Sequence, residues 1–159
     1  MLRATEIVAA GDWQPPAADV VCLDYDHRTR RRIALRCAGG LEFLLDLARP
    51  QVLRAGDGLR LEDGRFVGVE AASEPLLEIA CASPRALARV AWHLGNRHLA
   101  AEIDTHAILI REDHVIADMA RGLGATVRRV ERAFSPEGGA YAGASHHHHH
   151  HGPGRNRDG

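Results

Sequence analysis

The histidines are the first candidates for chemistry in this chain. Six of the 11 stand in a row, from His146 to His151, and two more, His93 and His98, lie in the string WHLGNRH at residues 92–98. Neutral imidazole is a good ligand for nickel, copper, zinc and cobalt. A run of histidines supplies many such ligands without a fixed geometry. These residues therefore predict binding of a divalent transition metal.

The histidine run has two explanations. An engineered purification tag has this composition, and so does a native metal-binding tail. A tag normally begins or ends a chain, whereas eight residues follow His151. This position favours a native tail, although composition alone leaves both explanations open.

His98 stands where an apolar helix pattern gives way to an extended pattern, and it also has two explanations. A single histidine at such a junction is usually structural, because it caps carbonyl groups or fills a turn. One imidazole also cannot hold a metal firmly. A symmetric homodimer, however, brings two copies of one residue to its axis. In such a dimer His98 would supply two ligands to one metal.

A second cluster, Glu112-Asp113-His114, stands where a helix is predicted to begin. The helix dipole favours acidic residues there, so capping is the simpler interpretation. Capping and metal binding can coexist, and we therefore keep Glu112 and His114 as candidate metal ligands. A zinc-dependent hydrolase built on His98, His114 and nearby acids is an alternative function. It would need three converging protein ligands and an open position in one pocket.

Charge gives no support to a nucleic-acid or membrane partner. The formal net charge is -1, so no global field attracts anionic surfaces. The run Arg28, Arg30, Arg31 and Arg32 offers cations for phosphates, but RNA-binding sheets also need aromatic residues for base stacking. The predicted strands between residues 76 and 130 contain none. The run is therefore interpreted as a solvated or partner-facing strand edge, and a structural or nucleic-acid-binding module with an artificial tag remains the third interpretation.

Cysteine usage and hydropathy indicate a cytoplasmic protein. No apolar run approaches the ~18 residues of a membrane span, and the first residues lack the pattern of a secretory signal. Cys22, Cys37 and Cys81 are far apart and form no CxxC pair. We expect reduced, partly buried thiols and neither a disulfide framework nor a thiolate zinc site.

The pattern of residues 1–74 predicts a small antiparallel β domain. Short extended segments alternate with turn signals such as Gly39-Gly40 and Ala55-Gly56-Asp57-Gly58. The predicted strands cover residues 6–9, 19–23, 30–37, 41–46, 59–61 and 66–70. Strands of this length and spacing are typical of a sandwich or barrel-like domain.

Residues 75–134 predict a different domain, of mixed composition. Ser83-Pro84 has the pattern of a helix N-cap followed by proline at the first helical position, and Gly95-Asn96 is predicted to end that helix. The predicted order is strand, helix, strand, strand, helix, strand, which is the βαββαβ order of a ferredoxin-like domain. Residues 135–159 have no hydrophobic pattern and are expected to form a disordered tail. The predicted fold class is α+β.

At this point the chain resembles a known family. Residues 88–98, ARVAWHLGNRH, are similar to the signature of the UreE urease accessory proteins, which carry nickel. Asp113-His114-Val115 and Asp118-Met119 resemble the second helix of that family. Residues 136–141, PEGGAY, resemble the segment before its histidine-rich tail.

The resemblance implies a cytoplasmic homodimeric nickel metallochaperone and not an enzyme. By it, His98 is the principal ligand and meets its copy in the other subunit, while His114 matches a secondary histidine. Glu112 replaces a family histidine, which gives any second site mixed oxygen and nitrogen ligands. A urease accessory GTPase (UreG-like) and the apo-urease complex are the implied partners. The predicted metal ligands are His98, His114, Glu112, His146, His147, His148, His149, His150 and His151.

The chemistry of a carrier agrees with this ligand set. A carrier must bind Ni²⁺ tightly enough to acquire it and loosely enough to release it. Ligands from a tail allow the coordination shell of the metal to be removed one imidazole at a time. Thiolates would hold zinc or copper(I) too firmly, although Zn²⁺ and Cu²⁺ are expected to occupy imidazole sites in vitro. Binding should weaken below pH ~6.5, where imidazoles become protonated.

Overall fold

The computed structural model describes residues 1–138 and contains two β-sheets. The first half forms a six-stranded sheet with the strand order β2-β6-β5-β1-β4-β3. Its elements are β1 (Leu2–Val8), β2 (Asp19–Leu23), α1 (Tyr25–Arg28), β3 (Arg32–Arg36), β4 (Glu42–Asp46), β5 (Gly58–Leu61) and β6 (Phe66–Ala71). Leucine, valine and phenylalanine side chains such as Phe43, Leu45 and Leu59 form its core.

This first sheet is mixed, so the prediction of an antiparallel domain was wrong. Strand β1 pairs in parallel with β4, and β2 pairs in parallel with β6, whereas β3–β4, β1–β5 and β5–β6 are antiparallel. Turn signals mark where strands begin and end. They do not determine which distant strands become neighbours, and parallel pairs require long connections.

The predicted Gly39-Gly40 turn joins β3 and β4 as a hairpin. Asp19 of the neighbouring β2 holds this turn, because its carboxylate accepts hydrogen bonds from the amides of Gly39 (2.8 Å) and Leu41 (3.1 Å). Hydrogen bonds from the Gly39, Val20 and Leu41 amides lower the pKa of the Asp19 carboxyl, and the Gly39 bond has the largest effect. They do so because they stabilise the charged form of the carboxyl.

The second half forms a four-stranded antiparallel sheet with the order β10-β7-β9-β8. Its elements are β7 (Ser73–Ala80), α2 (Pro84–Gly95), β8 (Ala101–Ile103), β9 (Ala107–Arg111), α3 (His114–Gly122) and β10 (Thr126–Ala133). This is the predicted order of strands and helices. The chain is therefore of the α+β class, and the two sheets meet at Ala72, the residue between β6 and β7.

Both helices pack on one face of the second sheet. Helix α2 begins as predicted, with the Ser83 hydroxyl accepting a hydrogen bond from the Ala86 amide at 3.1 Å. Its buried residues Val90 and Leu94 join Ile79 and Ile108 of the sheet in one apolar cluster. Alternate residues of these strands point to the opposite face, which neither α2 nor α3 covers.

The opposite face of the second sheet contacts the first half of the chain. Leu76, Leu109 and Phe134 are buried there, with Tyr25 of α1 packed against them. Arg28 is only 2% exposed, and its guanidinium donates a hydrogen bond to the Phe134 carbonyl. The prediction that Arg28 belongs to a solvated edge was therefore wrong, because the carbonyl and the Tyr25 ring accommodate its charge. Arg32, the last arginine of the run, begins strand β3, which does lie at an edge.

The three cysteines are free, as predicted, but they differ in exposure. Cys22 is exposed, Cys81 is half-buried and Cys37 is buried. Burial raises the pKa of the Cys37 thiol to about 11, so it stays protonated at neutral pH. Within residues 1–138, no helix is long and apolar enough to cross a membrane.

Candidate metal-binding site

His98 lies in the turn that follows helix α2. The helix ends at Gly95, as predicted, and Asn96 caps it with its amide directed at the Trp92 carbonyl (3.1 Å). Two hydrogen bonds between residues three apart then form a tight turn. The Arg97 amide donates to the Leu94 carbonyl (3.0 Å), and the His98 amide donates to the Gly95 carbonyl (3.2 Å). His98 therefore stands at the helix-to-strand junction that the sequence predicted.

The backbone of His98 is in the left-handed region, with φ 54°. This conformation costs a residue with a Cβ atom roughly 1–2 kcal/mol, and such strain is commonly retained at functional sites. The side chain is exposed. Within residues 1–138 the His98 ring makes no hydrogen bond, so it caps no carbonyl there. Its nitrogens are thus available to a ligand.

Apolar side chains are exposed on the two elements that the His98 turn connects, α2 and β8. Trp92, on the last turns of α2, is 66% exposed, and Ile103 of the edge strand β8 is 53% exposed. A cavity between α2 and β8 lies next to them, lined by Leu94, Gly95, Leu99, Ala101, Ile103 and Glu137 among others. Large apolar side chains exposed together commonly mark a protein–protein contact. The surface around His98 therefore has the chemistry of an interface as well as that of a ligand site.

The Glu112–His114 cluster is already engaged in structural contacts. Asp113 caps α3, because its carboxylate accepts hydrogen bonds from the amides of Val115 (3.0 Å) and Ile116 (3.1 Å). The Glu112 carboxylate accepts a hydrogen bond from Nε of Arg129 at 2.5 Å. This contact raises the pKa of Arg129 above its ordinary value. Of the three residues, only His114 is left with an exposed side chain that is not committed to such a contact.

The structure places the two clusters in different surroundings. Glu112, Asp113 and His114 line one cavity, and His98 does not line it. In the part of the chain that the structure describes, no three His, Cys, Asp or Glu side chains are arranged to hold a metal ion. One subunit therefore offers single imidazoles there, and His146 to His151 lie outside the described residues.

Two residues that matter to these clusters were not predicted. Arg129 holds Glu112, and Glu102 holds the chain after β10, where the Ser135 amide donates to its carboxylate at 2.9 Å. Both contacts join strands that are distant in the sequence. The alternation of polar and apolar residues indicates the face on which each lies, but it does not indicate the partner across the sheet.

Comparison with known proteins identifies the family. Residues 4–72 match the N-terminal domain of the UreE urease accessory protein, and residues 74–158 match its C-terminal domain. The chain belongs to the UreE family. It is 55% identical over 146 residues to the urease accessory protein UreE of Bradyrhizobium sp. (strain ORS 278), which covers 92% of this chain and 70% of that protein.

Two other UreE proteins are similar over more of their own length. The UreE of Beijerinckia indica is 52% identical, with 91% of this chain and 83% of that protein covered. The UreE of Chelativorans sp. (strain BNC1) is 51% identical, with 92% and 90% covered. The predicted resemblance is confirmed. The chain has an accessory role in urease maturation and is not an enzyme.

Proposed function

We propose that this UreE protein is a nickel metallochaperone that delivers Ni²⁺ to apo-urease. In this proposal, two copies of His98 in a homodimer bind one Ni²⁺ between the subunits. The observation that carries it is the exposed, left-handed His98 with no recorded ring partner in residues 1–138. Imidazole nitrogen is a suitable donor for Ni²⁺, so the residue fits the cargo.

The homodimer is supported by the surface beside His98. The side chains of Trp92, on the helix before the turn, and of Ile103, on the strand after it, are exposed, and aromatic residues are enriched at the centres of protein interfaces. In a twofold dimer that buries this surface, each residue near the axis meets its own copy. The same contact would therefore cover Trp92 and bring the two His98 rings together.

We further propose that the tail histidines, His146 to His151, assist the paired His98 rings. A shell completed by mobile ligands can be dismantled stepwise when the cargo is transferred. By the same proposal, residues 1–74 are a peptide-binding-like domain that makes protein contacts, and residues 75–134 are a ferredoxin-like metal-binding domain. The predicted disordered tail, residues 135–159, falls mostly outside the described residues, but at its start the amides of Ser135 and Glu137 are bonded to Glu102 and Ala101. A urease accessory GTPase (UreG-like) and the apo-urease complex would be the protein's partners in the cytoplasm.

His114 and Glu112 are proposed as a weaker, secondary site. The Glu112 carboxylate must leave Arg129 before it can bind a metal, and the 2.5 Å contact opposes this. His114 alone offers one imidazole. We therefore assign tight binding to His98 and only weak binding to this cluster.

The test is nickel titration by calorimetry on a protein truncated after Tyr141, with its mass measured in solution. One tight Ni²⁺ per dimer is expected, and His98→Ala is expected to remove it. His106→Ala is the matched control, since His106 is also exposed but lies in the turn between β8 and β9. Tight binding that survives His98→Ala would refute the proposed site. An absence of tight binding in the truncated protein would leave the tail as the metal site.

A further inference from the structure

The C-terminal segment follows β10, which lies at the edge of the second sheet opposite to β8, the strand that follows His98. Strands β10 and β8 are the two opposite edges of the second sheet. Three strand spacings separate them, or roughly 14 Å. His98 closely precedes β8, whereas the chain leaves the sheet at Ala133, the end of β10. A tail that simply continued from β10 would start at the far edge.

The segment Phe134–Glu137 crosses to the near edge. Phe134 is completely buried against Leu76 and Leu109, on the face opposite α2 and α3. The Ser135 amide then donates to the Glu102 carboxylate at 2.9 Å, and the Glu137 amide donates to the Ala101 carbonyl at 2.8 Å. Ala101 is three residues beyond His98. Glu137 is thus held at the β8 edge, the edge that follows His98 in the chain.

Glu102 is the side chain that fastens this crossing. One carboxylate oxygen accepts from Arg132 at 2.6 Å and the other accepts from the Ser135 amide. The Glu102 side chain is only 15% exposed, and charge-assisted hydrogen bonds of this kind are strong. Glu78 makes a similar bond with Arg128 at 2.9 Å, but no contact between Glu78 and the crossing segment is recorded in residues 1–138. Both glutamates therefore bond to an arginine of β10, but Glu102 also accepts a hydrogen bond from a backbone amide of the crossing segment.

We propose that Glu102 is a positioning residue that holds the exit of the C-terminal segment beside His98. This inference rests on the proposed function, because it explains how tail histidines reach the shared metal. His146 follows Gly138 by eight residues, and a random coil of that length would span roughly 15 Å. Moving its origin back by about 14 Å would lower the concentration of tail imidazoles at His98 by roughly fourfold.

The first test needs no metal and uses amide hydrogen exchange in the full chain. In Glu102→Ala, the Ser135 and Glu137 amides should exchange at least about tenfold faster, because their bonds no longer hold the segment. Glu102→Gln keeps an acceptor oxygen without the charge and should show a smaller acceleration. Glu78→Ala is the matched control, and the Leu109 amide reports whether the sheet stays folded. Unchanged exchange at Ser135 in Glu102→Ala, with the sheet intact, would overturn the proposal.

The second test compares nickel affinity in four proteins: the chain with and without the tail, each as the wild type and as the Glu102→Ala variant. The substitution should weaken binding roughly fourfold in the full chain and leave the protein truncated after Tyr141 unchanged. Equal weakening in both lengths would overturn the proposal, because Glu102 would then act without the tail. Equal affinity of the two wild-type lengths would also overturn it. If neither length binds nickel tightly, the proposed function fails, and the exchange test still decides whether Glu102 holds the exit.

Discussion

Two turns of the second domain carry a candidate metal-binding histidine, and they differ in the contacts that their polar groups already make. The turn after α2 presents His98, whose ring is exposed and whose backbone is strained at φ 54°. The turn before α3 presents Glu112 and His114, with Glu112 bonded to Arg129 and Asp113 bonded to the helix amides. The sequence makes both turns look like metal sites. The contacts separate them into an available ligand and a structural cap.

The difference shows that availability matters as much as residue type. A carboxylate that neutralises an arginine must lose that partner before it can bind a metal, and the metal has to compensate for the loss. An imidazole without a bonded partner has no such cost. For a carrier, the strain at His98 is tolerable because folding of the rest of the domain compensates for it.

The largest expected effect separates the two histidines directly. In the protein truncated after Tyr141, His98→Ala should weaken nickel binding by more than about 100-fold, since even the loss of outer-shell partners costs up to that amount. His114→Ala should change the affinity less than about threefold, because one exposed imidazole adds little. Calorimetric titration measures both. Comparable losses from the two substitutions would make the two turns parts of one site and would remove the distinction between them.

The next effect tests whether the turn before α3 is a cap. Asp113→Ala removes the acceptor of two helix amides and should lower the free energy of unfolding by about 1 kcal/mol. Asp118→Ala is the control, since Asp118 lies on the same helix and makes an exposed contact with Arg121 at 3.3 Å, worth about 0–1 kcal/mol. Urea denaturation monitored by circular dichroism gives both values. An equal cost for the two would indicate that Asp113 is no more important than a surface acid.

A third effect concerns the strain at His98. Glycine adopts the left-handed conformation without a steric cost, so His98→Gly should be more stable than His98→Ala by about 1 kcal/mol. Both variants lack the imidazole, and neither should bind nickel tightly. The comparison therefore separates backbone strain from ligand chemistry in the same turn. If alanine were the more stable of the two, the left-handed conformation would not be the one that His98 adopts in solution.

Local signals predicted the elements around both turns. Ser83-Pro84 marked the start of α2, Gly95-Asn96 marked its end, and Asp113 was recognised as a cap, because each depends on contacts within a few residues. Three features depend on contacts across the fold and were missed: the parallel pairs β1–β4 and β2–β6, the burial of Arg28, and the bond between Arg129 and Glu112. The family signature located His98, but only the structure showed its strained backbone.

The smallest effect would convert the capped turn into a ligand site. Arg129→Gln frees Glu112 at the cost of two exposed ion pairs, with Glu112 and Glu131, each worth about 0–1 kcal/mol. In a protein that carries His98→Ala and ends at Tyr141, this change should raise the weak nickel affinity by roughly threefold, because Glu112 and His114 can then bind together. Arg128→Gln is the matched control, since Arg128 lies on the same strand and pairs with Glu78 instead. If neither variant gains affinity, the Arg129 contact is not what limits this turn, and the position of His114 itself must be the reason that it binds weakly.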